Sequence, residues 1–214
     1  MKNNQKPIII VAAALILVGI ILSFFLIRTK KSDSGVPSPT PAPKLVEIEV
    51  KDRPNISLTP RKDGHELTLK IDNISPIFSK IEYEITYIAV DNTLEIEKGA
   101  SGIIDSEELS ITKVERKILL GTESCTNGCK YKYDAGVTGG NLSLIFTLKN
   151  GQFSIFDTPF ILKSTADIIK SGQLQWPEED FTYTFKSKPT GSHFYIAHKN
   201  FIDGSYLVTS SGSL

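Results

Sequence analysis

"KIEYEITYIAV", residues 80–90, changes character at every second position. Ile81, Tyr83, Ile85 and Tyr87 fall on one side of an extended chain, and Glu82, Glu84 and Thr86 on the other. An amphipathic helix would need apolar residues three and four apart, a spacing this run does not follow. The stretch therefore predicts a β-strand with one face against a core and the other in water.

Working outward, the same period recurs. "ELTLKI" (66–71) sets Leu67, Leu69 and Ile71 against Glu66, Thr68 and Lys70, and "LVEIEV" (45–50) sets Val46, Ile48 and Val50 against Glu47 and Glu49. Further strand candidates are "ELSITKVERKILL" (108–120), "NLSLIFTLK" (141–149), "GQFSIF" (151–156), "DFTYTFK" (180–186), "SHFYIAH" (192–198) and "GSYLVT" (204–209). Turn chemistry separates them. Asn150-Gly151 predicts a two-residue hairpin turn, and Asp63-Gly64, Asn73 with Pro76, Pro189, Gly191 and Asp203-Gly204 mark other breaks. "STADIIKSG" predicts one short helical turn, capped by Ser164 or Thr165 and stopped by Gly172.

Short strands at this spacing predict a mainly β chain: an antiparallel β-sandwich of immunoglobulin-like architecture over 45–163, with a C-terminal β extension over 164–214 packed on it as a short meander. The likeness is architectural. The widely spaced Cys…Trp…Cys pattern of immunoglobulin domains is absent, and Trp176 lies in the tail beside Pro177.

The N-terminal end is different in kind. From Ile8 to Ile27 the chain reads "IIIVAAALILVGIILSFFLI", without a charge. As a helix this run would span roughly 30 Å, the thickness of a bilayer's hydrocarbon core. Cleaved signals have shorter apolar regions and a small-residue cleavage site, which this run lacks. Residues 8–27 are therefore expected to be an uncleaved single-pass anchor, a transmembrane helix. Lys2 and Lys6 flank one end and Arg28, Lys30 and Lys31 the other, so the charge bias is nearly even. The expected orientation keeps residues 1–7 cytoplasmic and puts the folded domain on the extracytoplasmic side of the cell membrane. Between them, the 28–44 segment alternates Pro37, Pro39, Pro41 and Pro43 with small residues, a composition for an extended stalk.

Overall neutrality hides an asymmetry. Residues 1–31 hold five Lys/Arg and no acid, which leaves 19 basic and 24 acidic side chains in the rest. A mildly acidic domain argues against a nucleic-acid partner.

Cys125 and Cys129 are the only cysteines. A zinc site needs about four ligands, and no second pair is present. A C-x-x-C redox motif is not present either, and Thr126-Asn127-Gly128 between the cysteines favours a turn. Outside the cytoplasm the pair is expected to form a structural disulfide. His193 and His198 are five apart, which sends them to opposite faces of an unbroken strand, and all three histidines read as surface or strand-end groups. The acidic runs at 105–108 and 178–180 lack the spaced carboxylates of a calcium loop. Asn55, Asn73 and Asn141 match the glycosylation acceptor pattern, which matters only in a host with the machinery. No G-x-S-x-G, S-x-x-K, H-E-x-x-H or P-loop occurs.

The expected protein is thus not an enzyme and has no cofactor. It is a membrane-anchored module for adhesion, envelope organisation or protein–protein interaction, integral to the membrane and with a protein or envelope-polymer partner. One alternative is an envelope-polymer-binding accessory or hydrolase, which a pocket uniting Trp176 with several carboxylates would favour. Another is a membrane sensor subunit, for which Gly19 and Ser23 are a faint helix-pairing signal.

Overall fold

The computed structural model describes residues 44–214 apart from 111, 127 and 213. The expected anchor over 8–27 and nearly all of the 28–44 stalk lie outside the described residues. Among the described residues no helix is long and apolar enough to cross a membrane.

Residues Pro43–Leu214 form one compact unit that is mainly β. A three-stranded antiparallel sheet contains β1 (Asn55–Pro60), β2 (Glu66–Asp72) and β5 (Lys113–Leu119) in the order β1-β2-β5. A six-stranded sheet contains β3 (Phe78–Asp91), β4 (Leu94–Ile104), β8 (Gly139–Leu148), β9 (Phe153–Ser164), β12 (Phe194–Lys199) and β13 (Tyr206–Ser210). Its order is β13-β12-β9-β8-β3-β4, with every pairing antiparallel. Two hairpins complete the unit, β6 (Gly121–Ser124) with β7 (Lys130–Tyr133), and β10 (Gln173–Trp176) with β11 (Phe181–Thr184).

The period-two pattern explains why the sheets face each other. Register places Ile56, Ile71 and Val114 in one cross-strand row of the small sheet, all buried. In the large sheet, Ile85 and Leu142 sit side by side and buried, as do Ile81 and Phe146. All of these belong to one apolar cluster, and each fully buried Ile or Leu contributes about 1.5–3 kcal/mol. In β3, Ile81, Ile85 and Tyr87 are buried, Tyr83 is half-buried against the core and Glu84 is exposed. Phe78, Phe146, Phe156 and Phe201 close one end of the core, with the Arg53 guanidinium over the Phe201 ring.

A second apolar cluster lies where α1 (Thr165–Ile168) and the β10–β11 hairpin meet β9 and β12. Trp176, Leu174, Ile168, Ile161, Tyr195 and Ala197 make it up. Helix α1 begins at Ser164, whose hydroxyl accepts from Asp167 N–H while the Asp167 carboxylate accepts from Ser164 N–H. This reciprocal pair is a capping box.

Several expected elements differ from those observed. Residues 45–50 make only a single parallel bridge to β9, between Leu45 and Phe153, and Val50 is exposed. Arg53 Nε donates to Ile48 O at 2.9 Å, so a side chain takes a backbone acceptor that a ladder would need. "ELSITKVERKILL" divides into a 3-10 turn at Glu108–Ser110 and then β5. The Asp105 carboxylate accepts from the N–H groups of Glu107 and Glu108 and starts that turn. The β8–β9 loop has three residues between the bonded Leu148 and Gln152, not two. Gly151 N–H donates to Leu148 O, and only Gly151 has positive φ, at 82°. Asn150 spends its side chain on the N–H and side chain of Gln152, and a turn with two left-handed residues does not form. Gly64 is required where it stands. Its φ is 75°, and a Cβ there would lie 2.6 Å from the Phe194 ring.

Candidate functional site

Cys125 and Cys129 are joined in a disulfide at the exposed tip of the β6–β7 hairpin, with Cα atoms 4.1 Å apart. Glu123 Oε1 lies 3.0 Å from Cys125 Sγ. Although Glu123 and the two sulfurs form a tight group, disulfide sulfurs carry neither the proton of a donor nor the thiolate a metal would bind. Glu123 alone is left as a ligand.

The base of this hairpin is tied down by polar and aromatic contacts. His65 stacks on Tyr133 with ring centroids 4.3 Å apart, and the Arg61 guanidinium lies 5.7 Å from the Tyr133 centroid. Beyond Tyr133, the nearly buried Asp134 carboxylate accepts from Tyr87 Oη at 2.8 Å and from Lys98 Nζ. Burial, reinforced by the adjacent Asp134 carboxylate, pushes the Tyr87 hydroxyl above the usual phenol range. Tyr87 therefore stays a protonated donor. The trio joins β3 and β4 to the hairpin as a structural clamp.

His65 and His193 are partly exposed and directly precede β2 and β12, as expected of strand-end groups, but the third histidine departs from that reading. His198 is completely buried. Its Nδ1 donates to Lys199 O at 2.8 Å, and its Nε2 accepts from Leu58 N–H at 3.4 Å. Burial holds its pKa below the usual imidazole value, so the neutral ring bridges the two sheets. His193 sits apart, beside Gly212 and Gly191. Trp176 is buried against Tyr206 in the second apolar cluster. Of the two acidic runs, Glu108 pairs with Arg116, and Glu179 accepts from Lys199 and Tyr206.

The large sheet has one outer face, and its two halves differ. The half at β9, β12 and β13 is covered by the second apolar cluster. The half at β4, β3 and β8 is open and carries two adjoining depressions of about 440 and 490 Å³. Glu82, Glu84, Ser101, Ile103 and Ile145 line the first; Thr86, Ile88, Glu95, Glu97 and Asn141 line the second. Ile103 is 58% exposed and Ile88 45%. Lys80 pairs with Glu82, whereas Glu84, Glu95 and Glu97 make no ion pair among the described residues. The two depressions thus combine exposed apolar side chains with carboxylates that make no ion pair among the described residues. Alternation in β3 puts Glu82, Glu84 and Thr86 on this face, but β4 is not among the strands that the sequence predicts. The clue was the Glu95/Glu97 alternation with Leu94 and Ile96, interrupted by Gly99 and Gly102.

Compared with protein-family models, with curated proteins and with solved structures, the chain matches none.

Proposed function

We propose that the chain is a single-pass, membrane-anchored, extracytoplasmic module of immunoglobulin-like type that works by contact with a macromolecular partner rather than by catalysis. The small sheet's order β1-β2-β5, facing β9-β8-β3-β4, corresponds to strands A-B-E and G-F-C-C′ of such sandwiches. The apolar run at 8–27 and the proline-rich 28–44 segment support an anchor and a stalk. The observation that carries the functional reading is the open half-face of β4, β3 and β8, where exposed isoleucines stand among unpaired glutamates. Solvent-exposed apolar side chains grouped in one place mark contact surfaces.

Two measurements test the proposal. Protease added to intact cells, or to spheroplasts where an outer layer intervenes, removes the domain beyond Ser32; protection of the domain reverses the orientation. A photo-crosslinking residue in place of Ile103 yields a discrete adduct in cells, while the same residue at Lys117 of β5 does not. Equal labelling from both positions overturns the assignment of the contact face.

A further inference from the structure

We infer that the free edge of β4 takes up an extended polypeptide as an added strand, and that this segment alternates basic with apolar side chains. The inference rests on the proposed role as a contact module and names the partner's chemistry. Among the described residues, β4 pairs with β3 and with no other strand. It is 11 residues long, and alternate residues of an edge strand turn N–H and C=O groups outward, a template for another chain. The opposite edge of the sheet is not comparable. There β13 is tied to the small sheet by Thr209 Oγ1, which donates to Leu58 O.

Register defines the partner. Directly opposed residues of paired strands share a face. On the outer face β4 presents Glu95 and Glu97, both exposed and without an ion-pair partner among the described residues. Their neighbours across the β3 ladder are Val90 and Ile88. On the other face β4 presents Leu94, 69% exposed, and Ile96, 38% exposed. Over Leu94–Glu97 an incoming strand therefore meets carboxylates on one side and apolar groups on the other, in alternation, whereas further along Lys98 stands on the inner side and Gly99, Ser101 and Ile103 on the outer. Lysine or arginine opposite Glu95 and Glu97, with apolar residues between, complements both sides of that stretch. A second copy of this chain fits less well. Pairing β4 with itself gathers the Glu95 and Glu97 of two molecules on one face.

The probe is a labelled 11-residue peptide alternating Lys and Val, offered to the full chain in an uncharged detergent. Saturable binding that weakens with salt is expected. The double substitution Glu95→Lys with Glu97→Lys should weaken it about tenfold or more, two ion pairs being turned into repulsions. Two further peptides carry backbone N-methyl groups at alternate positions, in opposite phase. Strand addition requires one phase to bind and the other to fail, since only one set of peptide N–H groups faces β4. Equal binding of both phases reduces the effect to charge and overturns the inference, as does no binding of any peptide. A β4-mediated dimer that Glu95→Lys strengthens also overturns it. These failures leave the location untouched: a domain open to protease that ignores the peptide refutes only the strand addition, whereas a protected domain refutes the location.

Discussion

His198 is the residue whose role was least visible beforehand, and its surroundings set a measurable pH dependence. The neutral ring is hydrogen-bonded at both nitrogens between β12 and β1. Burial depresses its pKa in the folded chain below 6.5, the value it regains on unfolding. As pH falls below 6.5 the unfolded chain binds the proton first, so the stability that this site holds above that pH is lost toward the depressed folded pKa. The slope approaches about 1.4 kcal/mol per pH unit inside that window. Urea unfolding at pH 7.5 and pH 5 should show a larger loss for the native chain than for His198→Gln, although the variant starts less stable. Parallel losses would place the acid sensitivity elsewhere. The carboxylates with lowered pKa values, among them Asp63 and Glu179, lose their contribution at more acid pH. By contrast, the inward Ile85 and outward Glu84 of β3 could be assigned from alternation alone. Their fates depend on which side of one strand they occupy, whereas that of His198 depends on strands 140 residues away in sequence.

Among the elements, long strands with clean alternation were legible, and those framed by prolines or lying at a sheet edge were not. β2, β3 and β8 carry unbroken apolar rows and lie at sheet centres. β1 escaped notice because Pro54 and Pro60 frame it, although Ile56 and Leu58 alternate correctly. Its position explains the tolerance: at a sheet edge a proline forfeits no ladder bond. β4 escaped for the reason that makes it interesting, since an edge strand has little to bury. The β6–β7 hairpin belongs to this scale, and so does its disulfide. Closing a loop of about five residues restrains the unfolded chain by about 2 kcal/mol, and the hairpin packs outside the main apolar cluster. Cys125→Ser with Cys129→Ser should therefore lower the unfolding midpoint and leave the fold intact. In hydrogen exchange, residues 121–133 should lose protection while β3 and β8 keep theirs. Loss of protection throughout would make the disulfide essential to folding.

For the whole molecule, the C-terminal segment decides closure. β12 and β13 extend the large sheet beyond β9, and their side chains also cover the outer edge of β1: His198 takes the Leu58 N–H and Thr209 donates to the Leu58 C=O. One segment thus buries two strand edges, besides supplying Tyr195, Ile196 and Ala197 to the two apolar clusters. A chain ending before Ser192 should therefore lose cooperative thermal unfolding and aggregate, through exposed edges and lost apolar burial together. A monomeric truncated chain with a sharp transition would show that the preceding strands suffice. Taken by itself, the sequence determined the mainly β class, the inward face of β3, a short capped turn beginning at Ser164 or Thr165 and the short spacing that brings Cys125 to Cys129. Each follows from local periodicity, capping or loop length. Only the tertiary structure decided that β4 is a free edge, that Trp176 is core rather than pocket, and that His198 is a buried bridge. The physical reason is common to all three: burial and strand pairing are relations between segments far apart in sequence, and alternation within one segment carries no record of what covers it.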